Sequence, residues 1–575
     1  MDVRSLIVRE YLASLKESDE LDYVFPLFLE SQGFIILSKP SEYKGMPQYG
    51  KDVVAVGVDF KDNVKKRFYF EIKGGEDRHI DTNVYTKKDG VRESLLEAKD
   101  KDFDFINKED EKLPLKIVLV HNGEIKASVE STFAGFVEKN FPTDGNVEFE
   151  HWGLSELTRL FSEHFVCHYL LADEKATQLF NKTLTNLNVF DRVSPFYIEM
   201  LDGILKDLNF DSVKKKLPRH IVKLFETLRL IAFVIYTESK NQYNNFDITK
   251  RYLTCLVLKL WHKILVCKAE QNPLVQRQYN KIWDFYNSVM VEYFKRTMPL
   301  ATALDGFYSE RGGRYEQVGY TFRVLEWLQY YTMFGGVNEE DQKPMMATML
   351  YNIINANNVS SRPLIDNHSI PICLILNLYL YYNDIEKAKE YLTSVINSLY
   401  LGYLNGGRLP DARNNKKNVV KFVATGIKPY NYVDKTSLLM PMLLEWTVIL
   451  EMEAEYLFLR DFAINNKIDL GLFIPFCSEC ETENYISRVG YDLEEELFSN
   501  IFFDEGYHSE VSLIKLLNSA DRLSFEEFKE DLYNRKNEFK YTYRTDAAGY
   551  PMLKSLAHVY FQTPFFPDFW RWHLC

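Results

Sequence analysis

Residues 50–75 of the chain read GKDVVAVGVDFKDNVKKRFYFEIKGG. Two runs in this stretch, Val53 to Phe60 and Lys66 to Lys73, are rich in β-branched and aromatic residues, which is typical of strands. Asp62 and Asn63 lie between the two runs and suit a tight turn. The stretch therefore predicts a β-hairpin whose open end carries acidic and basic side chains.

Side chains alternate between the two faces of a strand, so the second run divides into two sets. The apolar set, which can pack on a core, is Phe68, Phe70 and Ile72. The other face carries Tyr69, Glu71 and Lys73. If the hairpin loop has only two residues, Asp52 lies opposite Lys73 and diagonal to Glu71, at ~7–8 Å. Both carboxylates can then reach one hydrated metal ion.

Two carboxylates and a lysine at such a strand end suit the cleavage of a phosphodiester. Asp52 and Glu71 supply the hard oxygen ligands that Mg²⁺ or Mn²⁺ prefers. A bound ion lowers the pKa of its water and offsets the charge that develops on phosphate oxygens. Lys73 would orient the attacking water or stabilise the transition state as a compact positive charge.

Two other interpretations of these residues remain open. Glu71 and Lys73 are also compatible with an ordinary exposed stripe, because carboxylates at strand ends often face solvent or pair with lysine. The tripeptide Glu-x-Lys recurs at Glu124, after the apolar run Leu115 to His121. No strand headed by Asp precedes that run, and the residues just before Glu124 are typical of a turn. Glu71 is therefore the stronger candidate.

Helix and strand patterns alternate up to about residue 165, and helical patterns dominate after it. The first part predicts an α/β domain over residues 1–165, in which Leu115 to His121 forms a strand covered on both faces. Residues 166–575 predict a large all-α region of helical hairpins that resembles repeat proteins, although no fixed period is visible. The pattern allows a further division near 335–340.

The composition excludes several classes of protein. The chain has 575 residues, of which 46% are hydrophobic and 26% charged, so it is not disordered, collagen-like or a disulfide scaffold. Its net charge of −13 argues against indiscriminate coating of nucleic acid but allows a local basic groove. Seven scattered cysteines predict a reduced, cytoplasmic protein. No stretch approaches the ~18 apolar residues of a membrane span, so no membrane partner is expected.

The most loop-like part of the helical region, residues 402–435, is rich in Gly and in basic residues interleaved with aromatic ones. Its candidate nucleic-acid-binding residues are Arg408, Arg413, Lys416, Lys417 and Lys421. The segment either contacts phosphates or is a solvated connector. The aromatic residues 560–575, YFQTPFFPDFWRWHLC, either fold back on the helices or form a partner surface.

The order helix, strand, Asp, hairpin, Glu-x-Lys, helix and strand resembles the PD-(D/E)xK nuclease superfamily, and its Mrr-like members in particular. The resemblance covers residues 1–165 and implies a restriction-endonuclease-like fold. It implies that Asp52 and Glu71 are metal ligands and that Lys73 is the catalytic lysine. Many members also use a Glu from the first core helix, and Glu30 is the best match for it here.

Two positions depart from the pattern of that superfamily. Lys51 stands where Pro usually precedes the Asp, and Gly74 with Gly75 replaces a Gln. The resemblance implies a Mg²⁺- or Mn²⁺-dependent endonuclease for double-stranded DNA, an effector of prokaryotic restriction or anti-phage defence that acts as a homo-oligomer or with a partner defence protein. The alternatives are a nuclease-fold helical adaptor without its own activity inside a larger complex, and a nuclease directed at RNA.

Overall fold

The structure is a computed structural model. It describes residues 8–38, 49–161, 174–334, 340–470, 524–534, 544–561 and 569–574, except 10, 14, 16, 18–20, 106, 144, 190–191, 207, 211–212, 214–216 and 438. The predicted boundary near 165 and most of the predicted division near 335–340 lie outside the described residues. The amphipathic patterns at 485–503 and 509–519 predict two more helices, which lie outside them too.

The chain divides into two compact units. Unit 1 comprises Met1–Ile204 and Arg219–Asn244, and unit 2 comprises Leu205–Pro218 and Asn245–Cys575. An α/β region followed by a mostly helical remainder is therefore confirmed. None of the helices in the described part of the chain is long and apolar enough to cross a bilayer.

Unit 1 is built on a mixed five-stranded sheet with the strand order β1-β2-β3-β4-β5. The strands are β1 (Ile35–Ser38), β2 (Val53–Val58), β3 (Lys65–Lys73), β4 (Leu115–His121) and β5 (Val147–Trp152). The first three strands pair antiparallel, whereas β3, β4 and β5 run parallel to one another. All seven residues of β4 are buried, which confirms the prediction of a strand covered on both faces.

The register of the β2–β3 hairpin differs from the prediction by two residues. Val53 pairs with Phe70, and the last pair closes through the N–H of Asp59, which donates to the carbonyl of Val64 at 2.9 Å. The loop therefore has four residues, and Asn63 ends it with a positive φ of 58°. Continuing this register by one residue places Asp52 opposite Glu71. The expected position opposite Lys73 is wrong, because a two-residue loop was assumed.

Each face of the sheet packs against helices of unit 1. The helices are α1 (Asp22–Ser31), α2 (Thr82–Thr86), α3 (Val91–Asp100), α4 (Lys108–Glu111), α5 (Ala127–Asn140), α6 (Leu154–Leu160), α7 (Glu174–Thr185), α8 (Pro195–Leu205) and α9 (Arg219–Glu238). On one face, the ring of Phe70 lies 5.1 Å from Phe25 of α1 and 5.6 Å from Trp152. The opposite face carries Tyr69 and Ile117, which join a second core with residues of α3 and α5.

Unit 2 is helical apart from one short pair of strands among its described residues. Its helices are α10 (Phe246–Val266), α11 (Pro273–Thr302), α12 (Glu316–Phe334), α13 (Lys343–Ala356), α14 (Ser369–Tyr381), α15 (Ile385–Gly406), α16 (Lys416–Thr425), α17 (Leu439–Ile449), α18 (Glu453–Asn465), α19 (Phe525–Asn534), α20 (Arg544–Ala547) and α21 (Met552–Phe561). Two strands of two residues each, Thr436–Ser437 and Asp469–Leu470, pair in parallel.

Two sequence expectations for unit 2 need correction. The amphipathic pattern of residues 436–465 predicts one helix, but the segment breaks between α17 and α18, where Glu451 adopts a positive φ of 53°. The segment 402–435 was expected to be a loop, but it contains the end of α15 and all of α16. The buried carboxylate of Asp411 accepts hydrogen bonds from three backbone N–H groups around this helix and so orders the connection.

Candidate active site

The hairpin brings its acidic and basic residues together at the open end of the sheet. Asp52 immediately precedes β2, and its Oδ2 accepts a hydrogen bond from the backbone N–H of Ile72 at 2.7 Å. In β3, the Nζ of Lys73 lies 2.8 Å from Oε1 of Glu71. Asp52, Glu71 and Lys73, which the sequence analysis singled out, therefore form one cluster.

A fourth charged residue, Glu17, joins this cluster from the chain segment before α1. Its Oε2 accepts a hydrogen bond from the backbone N–H of Gly74, directly after Lys73, at 2.8 Å. Glu17 was not predicted, because no pattern distinguishes it from the many charged residues around it in the sequence. Glu30 is half-buried near the end of α1 and is not among the principal charges acting on Asp52 or Lys73 in the described part of the chain.

The cluster is largely shielded from solvent. The side chain of Glu71 is 3% exposed and that of Lys73 is 13% exposed, whereas Asp52 is half-buried. Tyr69, which shares their face of the strand, is fully buried, and its hydroxyl accepts a hydrogen bond from the N–H of Phe103. These residues are therefore not an ordinary exposed stripe.

The environment shifts the pKa values of three members of the cluster. Burial, followed by the charge of Glu71, raises the pKa of Asp52 well above its usual value. Burial also raises the pKa of Glu17. For Lys73, burial acts to lower the pKa, but the charges of Glu71, Asp52 and Glu17 outweigh it and raise the pKa. The lysine is therefore protonated at neutral pH, and the carboxylates compete for a single positive charge.

The charge and chemistry of the donor set suit a divalent cation, although the carboxylate oxygens of Glu17, Asp52 and Glu71 do not all lie within 4.8 Å of one another. With all three carboxyl groups ionised, Glu17, Asp52 and Glu71 carry three negative charges against the one positive charge of Lys73. A divalent cation would cancel the two remaining charges and offset the repulsion from Glu71, which after burial is the second cause of the raised pKa of Asp52. Carboxylate oxygens are also the ligands that Mg²⁺ and Mn²⁺ prefer.

A second acidic group lies at the opposite end of the hairpin and serves a different purpose. Among the described residues, only Asp59, Asp62 and Glu148 place three carboxylate oxygens within 4.8 Å of one another. The buried Nζ of Lys66 contacts all three, at 2.8, 2.5 and 2.6 Å respectively. Lys116, also buried, contacts Asp59 at 2.7 Å. Two lysines thus already occupy the position that a cation would take, and this group is an ion-pair network.

The rival tripeptide at Glu124 does not share this environment. The side chain of Glu124 is 61% exposed and pairs with Arg9 at 3.4 Å. Ile125 forms an isolated parallel bridge with Ile80, and Lys126 immediately precedes α5. Glu124 is therefore a surface carboxylate.

Two histidines lie beside the cluster, at the ends of the neighbouring strands. His121 pairs in register with Lys73, and its Nε2 lies 2.6 Å from Nε2 of His151. Nδ1 of His121 faces the carbonyl of Arg78 at 2.9 Å and must donate to it, so its Nε2 accepts from His151. Burial lowers the pKa of His121 to about 4 and also lowers the pKa of His151. Both rings are therefore neutral at neutral pH.

The basic residues predicted to bind nucleic acid lie on and around α16 in unit 2. Arg413, Lys416, Lys417 and Lys421 are exposed, and Arg408 is half-buried. The ammonium of Lys416 lies 5.1 Å from the centre of the Phe322 ring. These side chains give α16 an exposed basic surface, which the ordered connection around Asp411 holds in place.

None of the known protein families, curated proteins or solved structures compared with the chain matches it. Any function of the chain must therefore be argued from the chemistry of its own residues.

Proposed function

We propose that the chain is a metal-dependent DNA endonuclease of the PD-(D/E)xK type, with its active site in unit 1. The proposal rests on one observation, the convergence of Asp52 with the Glu71–Lys73 pair at the end of the β2–β3 hairpin. Phosphodiester hydrolysis requires carboxylates that hold a metal ion and a positive charge near the phosphate, and this cluster has both. A structural ion pair would require only one carboxylate beside the lysine.

The arrangement of the sheet supports the proposal. An antiparallel hairpin that continues into parallel strands, with β3 next to β4, follows the order of elements that motivated the family resemblance. The departures at Lys51 and at Gly74 do not disturb the cluster. Lys51 is buried, with its ammonium 5.2 Å from the centre of the Tyr69 ring, and the N–H of Gly74 is used by Glu17.

Each residue of the cluster has a separate role in this proposal. Asp52 and Glu71 would hold Mg²⁺ or Mn²⁺, which would supply a water of lowered pKa and offset charge on the phosphate. Lys73, kept protonated by its carboxylate neighbours, offers a positive charge to the phosphate oxygens. Glu17 fixes the backbone just after Lys73 and so acts as a positioning residue. Glu30, predicted as a further ligand or water-positioning group, has no role in this proposal.

The substrate and setting remain proposals drawn from the same resemblance. Double-stranded DNA is the proposed substrate, and the exposed basic residues of α16 are proposed to contact its phosphates. A homo-oligomer, or a complex with a partner defence protein, would allow both strands to be cut because one active site cuts one strand. We place the activity in the cytoplasm, in a prokaryotic restriction or anti-phage system.

The test compares the wild-type chain with Asp52→Asn, Glu71→Gln and Lys73→Ala on plasmid DNA, linear DNA and RNA, each with Mg²⁺ or Mn²⁺. We expect metal-dependent DNA cleavage that falls at least about a hundredfold in each variant. Glu124→Gln, which changes an exposed carboxylate with the same sequence context, is the matched control and should cut normally.

Each other result has a defined meaning. Cleavage that survives all three substitutions would rule out this active site. Cleavage of RNA alone would replace the DNA substrate with RNA. A wild-type chain that neither cuts nor binds Mn²⁺ by calorimetry would favour the adaptor without activity.

A further inference from the structure

Unit 2 contains two arginines that stand next to each other where two chain segments run parallel. Ile365 forms an isolated parallel bridge with Asp411, and the backbone N–H of Asp411 donates to the carbonyl of Leu364 at 3.2 Å. Arg362 and Arg408 each stand three residues before one of the two bridged positions. Because the segments run in the same direction, both arginines come to the same end of this pairing.

The positive charges of the two arginines act on each other. Burial, followed by the charge of Arg408, lowers the pKa of Arg362 below its usual value. In the described part of the chain, no carboxylate is among the causes of this shift. Both side chains are half-buried, so water screens their repulsion only in part. The fold therefore holds two like charges together, which lowers stability unless an anion accompanies them.

The chain itself supplies no such anion from its described residues. Neither guanidinium has a hydrogen-bond or ion-pair partner among them. Other half-buried arginines of unit 2 do contact carboxylates, Arg460 with Asp461 and Arg544 with Glu270, each at 2.8 Å. Charged groups that are partly removed from water are normally paired, so the unpaired arginines indicate an anion from outside the chain.

The end of α15 accounts for only one of the two charges. The backbone N–H of Arg408 donates to the carbonyl of Gly402 at 3.2 Å, which fixes this residue beside the last turn of the helix. A Cβ atom at Gly406 would lie 2.7 Å from Nε of Arg408, so the glycine leaves room for the guanidinium there. The partial negative charge of a helix C-terminus balances about half a unit charge. Most of the positive charge of the pair stays without a counterpart.

We propose that Arg362 and Arg408 together bind a dianionic phosphate group, the terminal phosphate of a nucleotide or of a nucleic-acid strand. Two planar guanidinium groups match the oxygens of a phosphate, and a dianion cancels both charges at once. A phosphodiester within a strand carries a single negative charge and suits the pair less well. The site belongs to unit 2 and does not depend on the proposed active site of unit 1.

The test is calorimetric titration of the full-length chain, freed of nucleic acid, in a low-salt buffer at about pH 8, where a phosphate monoester is dianionic. We expect binding of one AMP per chain, competition by inorganic phosphate, and no heat with adenosine. Arg362→Gln and Arg408→Gln should each weaken AMP binding at least about tenfold, through lost charge-assisted hydrogen bonds. Arg362→Lys, which keeps the charge without the planar fork, should weaken it less.

Two controls separate a binding role from a structural one. Arg192→Gln changes an exposed arginine of unit 1 and should leave AMP binding unchanged. Without ligand, the thermal midpoint of Arg362→Gln should equal or exceed that of the wild type, because one of two like charges is gone. AMP should raise the midpoint of the wild type but not that of the variant. A midpoint of the variant well below that of the wild type without ligand would make Arg362 structural and overturn the proposal.

A short DNA strand, with and without a 5′-phosphate, distinguishes the two sources of the phosphate group. Tighter binding of the phosphorylated strand than of AMP, lost in Arg362→Gln, assigns the site to a strand end, whereas equal or weaker binding assigns it to a nucleotide. Absence of binding by both, or binding that survives both Gln variants, would overturn the proposal. Tighter binding of succinate than of AMP would replace the phosphate with a dicarboxylate. None of these measurements depends on DNA cleavage.

Discussion

The segment 569–574 contains Arg571, which forms a buried ion pair with Glu445, and loss of this pair should strongly destabilise unit 2. The guanidinium of Arg571 contacts both carboxylate oxygens of Glu445 in α17, at 2.8 and 2.7 Å. Both side chains are 0% exposed, and the indole N–H of Trp570 donates to the same carboxylate at 2.8 Å. Of the two interpretations of the aromatic segment, folding back on the helices is therefore the one that these described residues adopt.

The substitution Arg571→Met tests how much this contact contributes. It removes the positive charge but keeps much of the side-chain volume, so Glu445 is left as a buried carboxylate whose remaining partner among the described residues is the indole of Trp570. Breaking a buried pair in this way costs about 3–5 kcal/mol of unfolding free energy. Urea denaturation followed by tryptophan fluorescence measures the loss, with limited proteolysis to detect release of the segment.

Two comparison variants separate a lost ion pair from lost packing. Glu445→Leu combined with Arg571→Met removes both charges and should recover part of the stability, because no buried charge stays unpaired although the indole N–H of Trp570 loses its acceptor. Lys529→Met breaks a pair with Glu451 whose side chains are 26% and 56% exposed, and should cost under about 1 kcal/mol. A loss below about 1 kcal/mol for Arg571→Met, or a double variant less stable than it, would refute the reasoning.

Three further outcomes are expected in unit 1. Burial lowers the pKa of His121 to about 4, whereas this histidine has a pKa near 6.5 in the unfolded chain, so its contribution to stability is present above about pH 6.5 and is lost toward pH 4. Urea titrations should show a loss of about 2 kcal/mol in unfolding free energy between pH 7 and pH 5. A His121→Gln variant that keeps the whole pH dependence would contradict this. Lys66→Met leaves the buried Asp59 with one lysine fewer and should lower the unfolding free energy by roughly 3 kcal/mol, measured by urea denaturation. A loss under about 1 kcal/mol would contradict this expectation. Glu17→Ala removes the acceptor of the Gly74 N–H and should slow DNA cleavage about 10–100-fold, while Mn²⁺ binding, measured by calorimetry, falls less than in Asp52→Asn; a loss of Mn²⁺ binding as large as that of Asp52→Asn would make Glu17 a ligand instead of a positioning residue.

Most strands of the sheet were predictable, because each strand follows from the local pattern of apolar residues in its own sequence. The run Leu115 to His121 became β4 with the predicted bounds. The runs Val53 to Phe60 and Lys66 to Lys73 became β2 and β3, with ends within two residues of the prediction. The hairpin register was not predictable, because it depends on where Lys66 is buried. The Nζ of Lys66 contacts Asp59 at 2.8 Å, and this contact favours a loop of four residues. Turn propensities alone do not favour four residues over the predicted two.

The candidate site was predictable only where its residues share one hairpin. Asp52, Glu71 and Lys73 stand in a recognisable strand context, so their convergence follows from side-chain alternation and strand pairing. Glu17 meets the N–H of Gly74 across 57 residues of chain, and nothing in the sequence around it encodes that contact. Long-range contacts of this kind are fixed by tertiary packing, which a single sequence does not reveal.

The path of the chain through unit 1 limits how this part of the molecule can be excised or recombined. The chain leaves unit 1 after Ile204, returns at Arg219 and leaves again after Asn244. A fragment that stops near residue 165 would lose α9, whose Phe233 ring lies 5.6 Å from that of Tyr11. Genetic exchange that moved the sheet onto a different helical partner would have to carry the returning helix with it, so a single splice point cannot separate the two units cleanly.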